Sequence, residues 1–158
     1  MSEARELIHG TCVALGSHAA LIRGPSGSGK SDLALRFLAL APEPGLEPLL
    51  VADDQVWIER GSDGGLAASA PSNLAGKLEV RGLGIVTVPH RKEARLALVA
   101  DLVLPQEVPR MPPDPLERIT IAGAALPVVR LAPFELSAAL KLRLALLSAV
   151  SQSPRQKA

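Results

Sequence analysis

The sequence predicts an α/β fold carried by a mixed, largely antiparallel sheet with few helices. Three observations point there. Seven or more short apolar runs are separated by glycine- and proline-rich turns, while only two stretches have helical spacing. Parallel strands need crossovers of a dozen or more residues, usually helices, so two helices cannot serve a fully parallel sheet of that size. Of the 158 residues, 47% are hydrophobic but only 2% aromatic, so a core is affordable and must be built from Leu, Val, Ile and Ala. The length suits one domain spanning residues 1–158.

The elements follow in order. Residues 11–15 and 19–23 flank Gly16-Ser17-His18, the spacing of a β-hairpin. Next comes Gly24-Pro25-Ser26-Gly27-Ser28-Gly29-Lys30-Ser31, a complete G-x-x-x-x-G-K-[ST] phosphate-binding loop. Gly24, Gly27 and Gly29 let the backbone wrap closely with its N–H groups turned inward, which makes an anion nest. Lys30 can reach the β- and γ-phosphates, and the Ser31 hydroxyl can ligate Mg²⁺. The apolar run 19–22 before the loop and helical spacing to about residue 40 after it set the loop at a strand-to-helix junction. There the helix dipole favours an anion.

Pro42, Pro44, Gly45 and Pro48 then break the chain ahead of 49–52, an apolar strand ending at Asp53-Asp54. A strand resumes at 56–58, and Ser62-Asp63-Gly64-Gly65 turns it into 66–68. Segments 83–88 and 96–104 are further strands, and 105–115, with five prolines, is a surface excursion. Segments 119–121 and 126–131 pair. The longest helix, amphipathic, opens after Pro133 and covers 134–150, leaving 151–158 as a polar, frayed tail.

Charge and composition exclude several classes. With 17 basic and 16 acidic residues the net charge is +1, so no basic field favours nucleic acid, and no aromatics are interleaved with Lys or Arg to stack bases. The single cysteine, Cys12, cannot form an intramolecular disulfide and reads as a buried, inert thiol. No zinc-ligand cluster is present. No signal segment opens the chain, and no apolar run approaches the roughly 18 residues of a membrane span. A cytoplasmic protein is expected.

Two further pieces carry chemistry. In phosphate-loop enzymes an acidic residue at a strand end holds Mg²⁺ directly or through water. Asp53 and Asp54 stand at such an end, and neighbours on an extended chain point opposite ways. One can face the metal or a reacting hydroxyl, accepting its proton as general base, while the other orients the surroundings. The plain alternative is a strand terminus with solvated carboxylates. In Lys77-Leu78-Glu79-Val80-Arg81-Gly82-Leu83-Gly84-Ile85, two glycines two apart suggest backbone held close to something, or simply a bend. Glu79 can complete a Mg²⁺ shell, since that ion prefers oxygen ligands and keeps several waters. Arg81 can neutralise phosphate or pair with Glu79.

Phosphate loop, Val51-Ala52-Asp53-Asp54 and residues 78–85, in that order and at close spacing, resemble the catalytic domain of bacterial HPr kinase/phosphorylase, in a compact alphaproteobacterial form. Ile8-His9-Gly10 before the first strand is also similar to that family. The likeness covers most of residues 8–104 and weakens beyond. It implies transfer of the γ-phosphoryl group of ATP to a seryl hydroxyl of an HPr-like phosphocarrier protein of the phosphotransferase system. In many members it also implies the reverse step, in which inorganic phosphate removes the group and releases pyrophosphate. By the same resemblance Gly24 to Ser31 bind the nucleotide phosphates, Ser31 and Glu79 serve Mg²⁺, Asp53 is the acid/base residue with Asp54 beside it, and His9 lies near the phosphate site. The scaffold would be similar to phosphoenolpyruvate carboxykinase, and the assembly a homo-hexamer.

By the resemblance the chain is expected to start almost at the catalytic domain, which an N-terminal domain precedes in full-length members. It departs from the family in replacing a long loop by Pro89-His90-Arg91-Lys92-Glu93 and around Arg130. The residues themselves leave two other readings open: a small-molecule phosphotransferase, and a nucleotide-sensing module that docks a partner through helix 134–150.

Overall fold

The computed structural model describes residues 4–152, and among them lie eleven strands and two α-helices. The strands are β1 (Arg5–His9), β2 (Thr11–Leu15), β3 (His18–Arg23), β4 (Pro48–Ala52), β5 (Gln55–Arg60), β6 (Leu66–Ser69), β7 (Lys77–Val80), β8 (Gly84–Thr87), β9 (Glu93–Leu102), β10 (Arg118–Ile121) and β11 (Ala124–Leu131). The helices are α1 (Lys30–Leu38) and α2 (Ala138–Gln152).

The main sheet runs β1-β5-β6-β9-β3-β2-β4, with β11 also pairing β9 and β10 pairing β11. Only β3–β9 and β9–β11 are parallel; the remaining pairings are antiparallel. The mixed, helix-poor expectation holds. Ten-residue β9 is the organiser. Its residues 95–101 lie beside β3, while its other edge is shared by β6 at the start and β11 at the end.

Alternation along β2 and β3 buries both of their faces. On β2, Val13 and Leu15 face the helices, whereas Cys12 and Ala14 face a second core; on β3, Ile22 and Leu21 divide in the same way. Helices α1 and α2 close the first core through Leu33, Phe37, Leu142 and Leu146. The second core is closed by β5, β6 and the β10–β11 hairpin through Val56, Ile58, Leu66 and Ile121. Burial raises the pKa of Cys12, which is fully enclosed, so the thiol stays protonated and inert.

Three expectations need correction. Residues Arg5–His9 form an edge strand on β5. Its side chains are mostly exposed, so no apolar alternation marks it. The stretch read as a held backbone or bend, with a strand only from 83, is a hairpin: β7 and β8 form their own two-stranded sheet, and Gly82 and Gly84 both have φ 90° in its turn. The longest helix begins at Ala138. Arg36 on α1 donates to the carbonyls of Pro133 and Glu135, which holds residues 133–135 in turn geometry and delays the helical ladder. At the other end α2 absorbs Ser151 and Gln152 from the expected tail; residues 153–158 lie outside the described residues.

Candidate active site

The loop after β3 sits where its sequence context demanded, between the last residue of β3 and the first turn of α1. Gly29 caps α1 with φ 98°, a left-handed conformation that costs other L-residues about 1–2 kcal/mol. The N–H groups of Lys30, Ser31 and Asp32 open the helix without intrahelical partners and so face an incoming anion. Lys30 is buried, and its Nζ donates to the carbonyls of Gly24 at 2.6 Å and Pro25 at 3.0 Å. The ammonium is thus stretched across the loop that would cradle phosphate. Behind the loop, Arg23 at the end of β3 makes a two-pronged ion pair with Asp101 of β9, at 2.8 and 2.9 Å. It clamps the strand that launches the loop.

A cavity of about 440 Å³ opens at this junction. Of the residues the sequence nominated, His9, Ser26, Gly27, Gly29, Lys30, Ser31, Asp53, Asp54 and Glu79 all line it. Gly24, Pro25 and Ser28 do not; they frame the loop from behind. A Cβ on Gly24 would meet Ser28 Oγ at 2.5 Å, and that hydroxyl is buried without a hydrogen-bond partner.

Asp53 and Asp54 diverge, as two adjacent groups should, but not on an extended chain. Asp54 has φ 68°, and this left-handed step splits the pair. Asp53 is turned inward and only 8% exposed. Its Oδ1 accepts from Thr11 Oγ1 and from Ser31 Oγ, both at 2.9 Å, while Oδ2 accepts from the Glu79 backbone N–H at 3.1 Å. One carboxylate therefore joins β2, α1 and β7. Asp54 stays at the rim, 70% exposed, with its Oδ1 3.3 Å from Nδ1 of His9.

The Glu79 carboxylate and the Arg81 guanidinium both line the cavity, and among the described residues they make no ion pair with each other. Arg130 lies elsewhere, paired with Glu117 at 3.1 Å. Sequence reasoning overlooked Thr11 and Phe134. Thr11 gave only one hint, a hydroxyl at the start of a strand otherwise apolar. Phe134 was counted as helix, yet its ring borders the cavity.

Among the described residues no group of three or more His, Cys, Asp or Glu could hold a metal ion by itself. Ser31, Asp53 and Glu79 nonetheless supply only oxygen donors beside the phosphate loop, the donor type Mg²⁺ prefers when phosphates and water complete its shell. The residues fit a cation that arrives with a polyphosphate. Among the described residues no helix is long and apolar enough to cross a membrane.

Comparison with known proteins agrees with this geometry. A family model described as the HPr Serine kinase C-terminal domain matches residues 2–103, well over half the chain. The HPr kinase/phosphorylase of Geobacillus sp. (strain WCH70) is 38% identical over 104 residues, covering 61% of this chain and 32% of that protein. The HPr kinase/phosphorylase of Bordetella pertussis (strain Tohama I) is 33% identical over 128 residues, covering 77% and 40%. The chain thus spans between a third and two fifths of the length of these relatives. Among solved structures, the Hpr(Ser) kinase/phosphatase from Coxiella burnetii superposes with a TM-score of 0.72 at 24% identity, over 92% of this chain and 90% of that one. That likeness shows the same fold.

Proposed function

The chain belongs to the HPr serine kinase C-terminal domain family, and from that premise we propose that it transfers the γ-phosphoryl group of ATP to a seryl hydroxyl of an HPr-like phosphocarrier. The observation that carries this reading is the position of Asp53, a buried carboxylate hydrogen-bonded to the phosphate-loop serine and facing the same cavity as Lys30. A merely structural acid at a strand end would be solvated.

The roles follow from the hydrogen bonds. The loop N–H groups and Lys30 bind and hold the phosphates, which supplies most of what phosphoryl transfer asks of a protein, namely position and charge. ATP would bring the phosphoryl group, and Ser31 and Glu79 would hold a Mg²⁺ that, when bound, would neutralise charge on the phosphates. Each carboxylate oxygen offers two acceptor sites. Oδ1 of Asp53 has both filled by Thr11 and Ser31, whereas Oδ2 accepts one bond and keeps one free. Oδ2 is the atom that takes the seryl proton. Asp54 and His9, paired at the rim, orient the incoming hydroxyl. Run backwards, the proton on Oδ2 returns to the seryl oxygen as phosphate attacks, which is the phosphorylase direction.

The test is γ-labelled ATP, Mg²⁺ and the purified chain, with an HPr-like carrier present or absent, followed by inorganic phosphate and an assay for pyrophosphate. Serine-bound label that needs the carrier is the expected result. Label passing to a small metabolite without any carrier would replace this reading with a small-molecule phosphotransferase. Tight ATP binding with no transfer would replace it with a nucleotide sensor.

A further inference from the structure

Phe134 is one of only two phenylalanines in the chain, and it is 71% exposed. Most of its ring is surrendered to water, although burying an aromatic side chain is among the larger stabilising terms a small fold can have. The backbone that carries it is nevertheless held in place. The carbonyls on either side of it, from Pro133 and Glu135, are both hydrogen-bonded by Arg36, and Arg36 is braced by Asp32 at 3.0 Å on the same helix. The ring also lies against the phosphate loop itself: a Cβ on Gly29 would meet its edge at 2.9 and 3.0 Å. It lines the cavity together with Asp32 and Leu35 of α1.

We propose that Phe134 is the stacking platform for the base of a nucleotide whose phosphates occupy the loop. The inference rests on the ATP-donor reading above and adds to it the residue that would receive the base. The geometry supports it in three ways. Phosphates gathered by the N–H groups of residues 30–32 leave the rest of a nucleotide one sugar away from the loop, beside the turn that carries Phe134. With the backbone beneath the ring already fixed by Arg36, stacking has only the side chain's own torsions left to order. A flat apolar face also presents no hydrogen-bonding edge, so it selects for a base while discriminating weakly among bases.

The test compares two ligands on the full chain by calorimetry: Mg-ATP, and Mg-tripolyphosphate, which has the phosphates without sugar or base. Phe134→Ala should weaken ATP about tenfold or more, while tripolyphosphate binding stays within about twofold. Phe134→Trp should restore ATP binding. Because the side chain is exposed, neither variant threatens the fold. Equal weakening of both ligands would overturn the proposal, leaving the ring as a prop for Gly29. Unchanged ATP affinity with a raised KM for the carrier would overturn it in favour of an acceptor contact. If the parent chain bound neither ligand, the phosphate-site reading itself would fall, and this inference with it.

Discussion

The two walls of the cavity are built differently. The phosphate-loop wall grows out of β3 and α1, in the middle of the main sheet, with Ile22, Leu33 and Phe37 fully buried beneath it. The opposite wall is the β7–β8 hairpin, a separate two-stranded sheet whose tip exposes Leu83 by 77% and Ile85 by 71%. Few side chains root it: Leu78 is fully buried in the core shared with α1 and α2, and Val80, Val86 and Val88 pack against that core only partly buried. A rigid wall suits a donor whose phosphates must always lie in one place. A thinly anchored wall suits contact with a partner whose surface it must follow. Asp53 bridges the two, since Ser31 binds one of its oxygens and the Glu79 N–H the other.

The severest way to break this contrast is to remove charge from the bridge. Asp53→Asn keeps the shape but cannot take a proton, so turnover should fall about 10²- to 10⁴-fold, with nucleotide affinity much less affected. Asp54→Asn, at the exposed rim, should cost far less. Steady-state transfer assays on both variants check this, and equal losses would end the division of labour between the two carboxylates. Next in size is Leu78→Ala. It empties a core position and should destabilise the protein by about 2–5 kcal/mol in urea unfolding. As the hairpin loosens, the Glu79 N–H leaves Asp53, so turnover should drop more than ATP affinity does.

The same contrast explains what could be read from the chain. The loop wall was legible because its constraints are written as residue types at fixed spacing: Gly29 for a left-handed cap, Lys30 and Ser31 for the proposed phosphate and metal contacts, an apolar run for β3. Asp53 and Glu79 followed from strand end and signature. The hairpin wall was legible only as a glycine-spaced stretch, because Leu78 is its sole fully buried residue and the alternating pairs Leu78/Val80 and Val86/Val88 are each too short to stand out as a period. Strand β1 escaped for a similar reason, being an edge strand with mostly exposed side chains. The split between Asp53 and Asp54 was anticipated, but its cause was not; a left-handed aspartate has no signature in its neighbours. Phe134 was hidden by periodicity. Leu136, Leu140 and Leu144 continue a helical spacing backwards, and only the long-range bonds from Arg36 show that the helix has not begun.

Smaller effects separate the walls by a matched substitution. Gly29 and Gly82 both have positive φ, 98° and 90°. An added methyl at Gly82 meets nothing within 4 Å, whereas at Gly29 it strikes the Phe134 ring. Gly82→Ala should therefore cost only the conformational term, about 1–2 kcal/mol of stability, with unchanged ATP affinity. Gly29→Ala should cost the same strain and weaken ATP binding as well. Thermal melts with and without ATP distinguish them, and a Gly82→Ala variant that also lost ATP would mean the hairpin shapes the donor site directly.

The smallest effect lies at the far end of β3 from the loop and should touch neither wall. His18 is partly buried in the β2–β3 turn region, and desolvation, reinforced by the charge of Arg95, lowers its pKa from the usual 6.5. The folded state then binds this proton more weakly than the unfolded chain. The contribution to stability is complete above pH 6.5 and is lost as the pH falls below it towards the lowered folded value. His18→Gln removes the titration, so its stability should decline less than the parent's between about pH 7 and pH 5. Urea midpoints at the two pH values measure the difference. Turnover at neutral pH should be unchanged, because no bond of His18 reaches the cavity; a lower turnover there would mean that strain at one end of β3 is felt by the loop at the other.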